Sequence, residues 1–209
     1  DLIISITLLL AIANQAEAKQ KETDVWTEGN RVAASVELPK ITNTEYLITN
    51  YGASPDSAAL HNGNAINKAI DDASCKGGGK VIIPAGIWLT GPIDLKSGVN
   101  LVLSKGAVLK FSTIHEHYLP VVRTRWEGID CYNLHPLIYA YKQTDIAITG
   151  EGTIDGQGSV ETWWHWCGSA KKYGWKEGML RQNAPGHGRV KLTEYEQTGV
   201  DIEQRRMGI

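Results

Sequence analysis

Any chemistry in this chain must come from a few carboxylates, imidazoles and arginines, and their spacing decides what they can do. Asp71 and Asp72 are adjacent carboxylates, the kind of pair that could serve as acid and base. They fall in the run Asn64-Ala-Ile-Asn-Lys-Ala-Ile-Asp-Asp-Ala73, whose apolar residues recur at helical spacing. Neighbours on a helix diverge by about 100° around its axis, so the pair reads as a solvated edge. Asp155 follows a short apolar run and precedes Gly156. A short carboxylate there is expected to accept backbone N–H bonds at a corner. Arg123 and Arg125, beside Trp126 and Glu127, are the candidate binding residues. Arginine grips a carboxylate through two parallel hydrogen bonds, and an indole offers a flat apolar face. The alternative is a loop packed on the flank of the fold, with Arg125 paired to an acid. Trp163-Trp-His-Trp166 is a second aromatic concentration, suited to rimming a groove or covering apolar surface.

Metal chemistry finds little support. His115, His117 and His135 have no partners at helical or hairpin spacing and read as surface or core residues, so no metal site is expected. Cys75, Cys131 and Cys167 are an odd set that allows at most one disulfide, and no two sit at metal-ligand spacing. Buried free thiols are the expectation.

The elements that would hold these residues follow from composition and periodicity. The chain has 209 residues, 42% of them hydrophobic, and a net charge of −2. That suits one globular domain or a piece of a larger one, and gives no electrostatic case for nucleic acid as a partner. Residues 2–13, LIISITLLLAIA, are an apolar run too short to cross a bilayer, and Ala16-Glu17-Ala18 follows as a small-x-small cleavage pattern. Residues 1–18 therefore read as a signal peptide with a truncated n-region. The mature protein is expected to be secreted or periplasmic, with no membrane association after removal. Residues 19–45 read as a linker or N-terminal extension with one strand at 32–38.

The fold proper begins near Tyr46. A helix is expected at 64–73, capped by Asn62 or Asn64 and ended by Gly77-Gly78-Gly79. After it come short apolar or alternating runs at 81–83, 87–90, 93–95, 99–103, 107–111, 137–141, 146–149 and 153–155, broken by glycine and proline. Period two marks strands with one buried face. Residues 87–91 echo 146–150, and 100–103 form a looser copy. Strands this short, turned this sharply, fit a right-handed parallel β-helix, with glycines at the corners and aliphatic side chains stacked in columns. The helix would cap the first coil. The fold class expected is all-β. A β-sandwich is the rival, weakened by the lack of Asn-Gly hairpin signals between alternating runs.

Several segments together resemble a known family. Tyr51-Gly-Ala53, the helix at 64–70 and Gly77-Gly-Gly-Lys-Val-Ile-Ile-Pro-Ala-Gly86 resemble the start of the pectate-lyase-like β-helix superfamily. Trp88-Leu-Thr-Gly-Pro-Ile-Asp-Leu-Lys-Ser97, Tyr118-Leu-Pro-Val-Val122, Arg125-Trp-Glu-Gly128 and Ile148-Thr-Gly-Glu-Gly-Thr-Ile-Asp-Gly-Gln-Gly158 are similar to glycoside hydrolase family 28, the polygalacturonases. The resemblance covers residues 46–209 and implies the N-terminal part of a β-helix glycosidase domain, incomplete at its C-terminus. It implies hydrolysis of α-1,4 bonds in pectin or polygalacturonate with inversion, without a cofactor. Such chemistry needs one acid and one carboxylate base with room for a water between them.

The family's Asn-x-Asp motif is not found here, and the Asp71-Asp72 pair lies on the expected helix rather than on a strand, so the catalytic aspartates are expected downstream of Ile209 and the fragment to be inactive. Gly186-His-Gly-Arg-Val-Lys191 looks like two further family motifs, but they are fused, with no Asn-x-Asp or strand-borne aspartate pair before them, and the neighbouring Pro185 and the polar run Thr193–Gln197 read as a loop and a helical turn. On this resemblance Arg123, Arg125, Trp126 and Glu127 would meet the carboxylated sugars of galacturonan. Two alternatives stay open: a pectate lyase on the same scaffold, using calcium and an arginine base, or a non-catalytic β-helix binding module.

Overall fold

The computed structural model describes residues 26–164, 176–177, 179 and 185–207. The expected signal peptide lies outside these residues, as do Cys167, His165 and Trp166. The chain divides into two units, Asp1–Leu38 and Pro39–Ile209.

In the first unit, residues 26–35 form a helix, α1, with every residue exposed. This corrects the strand expected at 32–38. An isolated strand would leave its amides and carbonyls without partners, whereas a helix satisfies most of its own. An ion pair one turn apart, Arg31 Nη2 to Glu28 Oε1 at 2.5 Å, decorates it.

The second unit winds through three parallel sheets in a recurring order. The first sheet runs β1 (Glu45–Leu47), β2 (Gly79–Ile83), β5 (Val99–Leu103), β10 (Ala147–Gly150). The second holds β3 (Gly86–Thr90), β6 (Ala107–Phe111) and β11 (Thr153–Asp155). The third pairs β4 (Ile93–Asp94) with β9 (Ile138–Tyr139). Read along the chain, β2, β3 and β4 visit the three sheets in turn, β5, β6 and β9 visit them again, and β10 and β11 begin a third circuit. Every pairing within these sheets is parallel. This is the arrangement expected of a parallel β-helix.

The columns that hold it together are visible in the register. Val81 lies opposite Leu101, and Trp88 opposite Leu109, all buried. A one-residue slip of β5 would turn Val99, Leu101 and Leu103 outward, at a cost of about 2 kcal/mol for each side chain. The echo between residues 87–91 and 146–150 is not the coil repeat, because those runs lie in different sheets. The looser copy is: Leu101 stacks on Ile148.

Helix α2 spans Ala59–Cys75, longer than the 64–73 expected. Neither asparagine caps it. Ala58 holds the N-cap position, and Asn62 is fully buried inside the helix. The Asn62 side chain accepts from Ser54 N and donates to the carbonyls of Ser54 and Leu89, each at 2.9 Å. The C-terminus ends as the glycines suggested: Gly78 N donates to Ala73 O at 2.8 Å and Gly77 N to Ser74 O at 3.2 Å. The helix buries Ile66, Ala69, Ile70 and Ala73 against the first coil, in the capping role expected of it.

At the corner after β10 the chain needs glycine. Gly150 has φ +110°, and a Cβ there would sit 2.0 Å from the Leu103 carbonyl oxygen. Asp155 behaves as its position suggested, accepting from Gln157 N at 2.8 Å. Cys131 is the buried free thiol expected, whereas Cys75, the last residue of α2, is a free thiol that is exposed, which corrects the expectation of burial for it. Burial pushes the Cys131 thiol up.

Candidate functional site

Between β6 and β9 the chain leaves the coil and makes an antiparallel hairpin. Its strands are β7 (Val122–Trp126) and β8 (Ile129–Asn133), with Arg123 opposite Tyr132 and Arg125 opposite Asp130. The turn is Glu127-Gly128, with φ +48° and +88°. Two positive φ values in a two-residue loop match the right-handed twist of the strands it joins. Glutamate in the first of these positions hid the hairpin from the sequence, where Asn-Gly or Asp-Gly is the readable signal.

Two anchors fix the hairpin against neighbouring elements. On one side, Tyr139 of β9 donates its hydroxyl to Arg123 O at 2.6 Å. On the other, the segment after helix α3 (Gly188–Gln197) lies along β8. Tyr132 N donates to Arg205 O at 2.9 Å, and Met207 N to Tyr132 O at 2.7 Å. The Arg205 side chain is buried and holds Val200 O through Nε at 2.7 Å, with Glu196 as its ion-pair partner. Gly186-His187-Gly188 is thus the entry to α3, with Arg189 and Lys191 on the helix; the helical turn expected over Thr193–Gln197 is the second half of this ten-residue helix.

The four candidate binding residues do not form one cluster. By the alternation of a strand, Arg123 and Arg125 share one face of β7 and Trp126 takes the other. Glu127 sits at the turn and pairs with Arg189 Nη1 at 2.9 Å. The two arginines share one acid: Arg125 Nε to Asp130 Oδ1 at 3.0 Å, and Arg123 Nη2 to Asp130 Oδ2 at 3.9 Å. That is the acid pairing foreseen as the alternative for Arg125.

A cleft of about 420 Å³ opens between β7 and the β9 segment, lined by Arg123, Arg125, Asp130, Tyr139 and Tyr141 among others. The Arg123 guanidinium lies over the Tyr141 ring, 5.9 Å from its centroid, and Lys142 Nζ approaches the same ring at 5.4 Å. Three cations and two tyrosines therefore face the cleft or its rim, with Asp130 the acid in its lining. Burial is the main force pushing the Tyr139 phenol up, so it stays a neutral donor at ordinary pH.

Beneath the cleft the sequence hid a second pair. His135 Nε2 meets Asp94 Oδ1 at 3.1 Å, its Nδ1 meets Pro136 O at 2.5 Å, and its ring stands edge-on to Tyr139 with centroids 5.2 Å apart. Both ring nitrogens face acceptors, and only the doubly protonated imidazole can donate to both. Burial pulls the His135 pKa down, but Asp94 and the Pro136 carbonyl outweigh it and leave it raised. The His135 bond is the chief force holding the Asp94 carboxyl below its usual range. The pair ties β4 to the chain entering β9. No local pattern signals it, since the partners are 41 residues apart. His117 contacts Ser112 Oγ at 2.8 Å. Among the described residues, no group of three or more His, Cys, Asp or Glu could hold a metal ion. None of their helices is long and apolar enough to cross a membrane.

No family model matches the chain. Curated proteins do. A probable polygalacturonase of Vitis vinifera is 29% identical over 175 residues, covering 78% of this chain and 33% of that protein. An endo-polygalacturonase of Pectobacterium carotovorum subsp. carotovorum is 33% identical over 137 residues, 58% of this chain and 31% of that protein. Among solved structures, the hyperthermoactive exopolygalacturonase of Thermotoga maritima is 37% identical, with a TM-score of 0.76 over 85% of this chain and 38% of its own. The chain spans about a third of the length of these curated relatives. Similar in sequence to polygalacturonases and superposing on one through its coils, the chain belongs to glycoside hydrolase family 28, the polygalacturonase family.

Proposed function

We propose that this chain is part of an enzyme that hydrolyses α-1,4-galacturonosidic bonds of pectin or polygalacturonate with inversion, without a cofactor. The similarity that carries the reading is the 37% identity to the Thermotoga maritima exopolygalacturonase, sustained through 85% of this chain at a TM-score of 0.76. The coils wind right-handed in this reading, the hand that parallel crossover connections strongly favour. Residues 46–209 form the β-helix portion, preceded by an extension at 19–45.

The catalytic aspartates belong to coils outside these 209 residues. Supporting this, the aspartates along the described coils are already engaged: Asp94 by His135, Asp145 by Lys40 N at 2.7 Å, Asp155 by Gln157 N at 2.8 Å. An inverting pair must instead stand about 6.5–9.5 Å apart around a free water. Arg123 and Arg125 are substrate contacts, and Trp126 and Glu127 lie at the hairpin tip beside them.

Two measurements test this. The intact protein is expected to release reducing ends from polygalacturonate, while residues 19–209 alone release none. Appreciable release by the short chain would place catalysis inside it. An unsaturated product absorbing in the near ultraviolet would replace hydrolysis with elimination. The apolar run at 2–13 and the Ala16-Glu17-Ala18 pattern support export, as a polymeric substrate requires. N-terminal sequencing of the mature protein should begin near Lys19.

A further inference from the structure

The cleft between β7 and β9 contains an arginine whose hydrogen-bonding capacity is unspent. Arg123 has five N–H donors in a planar fork. Its guanidinium makes no hydrogen bond to a described residue. It has an ion-pair contact with Asp130 at 3.9 Å, beyond hydrogen-bonding distance, and the Tyr141 ring 5.9 Å from its carbon. The ring attracts the cation without using any donor. Arg123 lines the cleft, with its side chain 38% exposed.

Asp130 is the cross-strand partner of Arg125 and hydrogen-bonds it at 3.0 Å, so one oxygen is held and the other leans towards Arg123. A carboxylate already standing between two arginines marks the position a carboxylate from outside would take. An exposed ion pair of this kind is weak, and opening it costs little.

We propose that this cleft is a binding site for a uronate carboxylate, gripped by Arg123, and that Asp130 is the internal carboxylate the incoming sugar displaces from the arginine pair. The inference rests on the galacturonan reading and adds a means of discrimination. A carboxylated sugar can take over the fork that Asp130 leaves. A neutral or methyl-esterified sugar lacks the charge and the second equivalent oxygen that a planar fork takes up, so it gains little from Arg123. Lys142, at the rim, strengthens the positive field for a chain with one carboxylate on each sugar.

The test is binding of tri-galacturonate and of its methyl ester to the intact protein by calorimetry. Arg123→Ala should weaken tri-galacturonate roughly tenfold or more and leave the ester unchanged, with Arg123→Lys in between because it keeps charge without the fork. Asp130→Asn should tighten tri-galacturonate by roughly three- to tenfold, since a weak surface pair no longer competes. Thermal melts of each variant establish that the fold is kept.

Unchanged binding in the folded Arg123→Ala variant would overturn the site. Weaker binding in folded Asp130→Asn, with Arg123→Ala also weakened, would overturn the displacement and make Asp130 a brace of the hairpin. Failure of the galacturonan reading is separate: the unaltered protein would then release no reducing ends from polygalacturonate.

Discussion

At the scale of single residues, the most consequential contact is between two side chains on different coils, Asp94 and His135. Its dependence on pH follows from the two shifts. The folded pKa of His135 is raised above 6.5, so its contribution is complete below that value and is lost as pH rises through the folded pKa. The folded pKa of Asp94 is lowered below 3.8, so its contribution is complete above that value and is lost as pH falls through the folded pKa. The pair therefore stabilises most between the two. The unfolding midpoint of the intact protein should exceed that of an Asp94→Asn variant most in this window, and the difference should shrink towards alkaline pH. A constant difference well above pH 6.5 would show that His135 is not charged in the fold. Solvent tempers the size of the effect, because the Asp94 side chain is 49% exposed.

At the scale of elements, corners and turns carry the specification. Gly150 should tolerate no side chain, since a Cβ would overlap the Leu103 carbonyl oxygen at 2.0 Å. Gly150→Ala is expected to cost more than about 2 kcal/mol in urea unfolding. It should also strip hydrogen-exchange protection from β10 while sparing β2, and equal protection in both would refute the corner role. How far the sequence reveals these elements depends on where each residue's partner lies. β5 and β6 were legible to the residue because one buried face writes period two into the chain. The start of α2 was not, because Asn62 has the chemistry of a cap and is used for a tertiary bond instead. Val32 and Val36 suit a strand by residue type, yet among the described residues no strand pairs with this segment and both are exposed, Val32 on α1 and Val36 just after it. In the site, Arg123 and Arg125 could be found as neighbours in sequence. The contributions of Asp130, Tyr139 and Tyr141 could not, since a register and a second segment bring them there.

At the scale of the molecule, the two ends of the stack differ. One is covered by α2. At the other, Ile148 stacks on Leu101 and Ile154 on Leu109, yet they are 43% and 44% exposed while the residues beneath them are fully buried. Among the described residues no strand pairs with the outer edges of β10 and β11, which is the recipe for edge-to-edge association. The 209-residue chain in isolation should therefore self-associate, and Ile148→Lys with Ile154→Lys should shift it towards monomer in sedimentation velocity. A monomeric unaltered chain would show that the edge is protected.

The hairpin leaves the ladder after Phe111, and the chain rejoins at Ile138 with β9 on β4 and β10 on β5 in unbroken register. A detour that returns the chain to its own rail works as a socket in the scaffold. Residues 113–134 can lengthen, shorten or be exchanged with those of another family member, provided His135 still ties the returning chain to Asp94 and residues 205–207, which pair with Tyr132, change with them. On the proposed galacturonan reading, a new preference would come from swapping one pendant, on a frame that is not refolded around it.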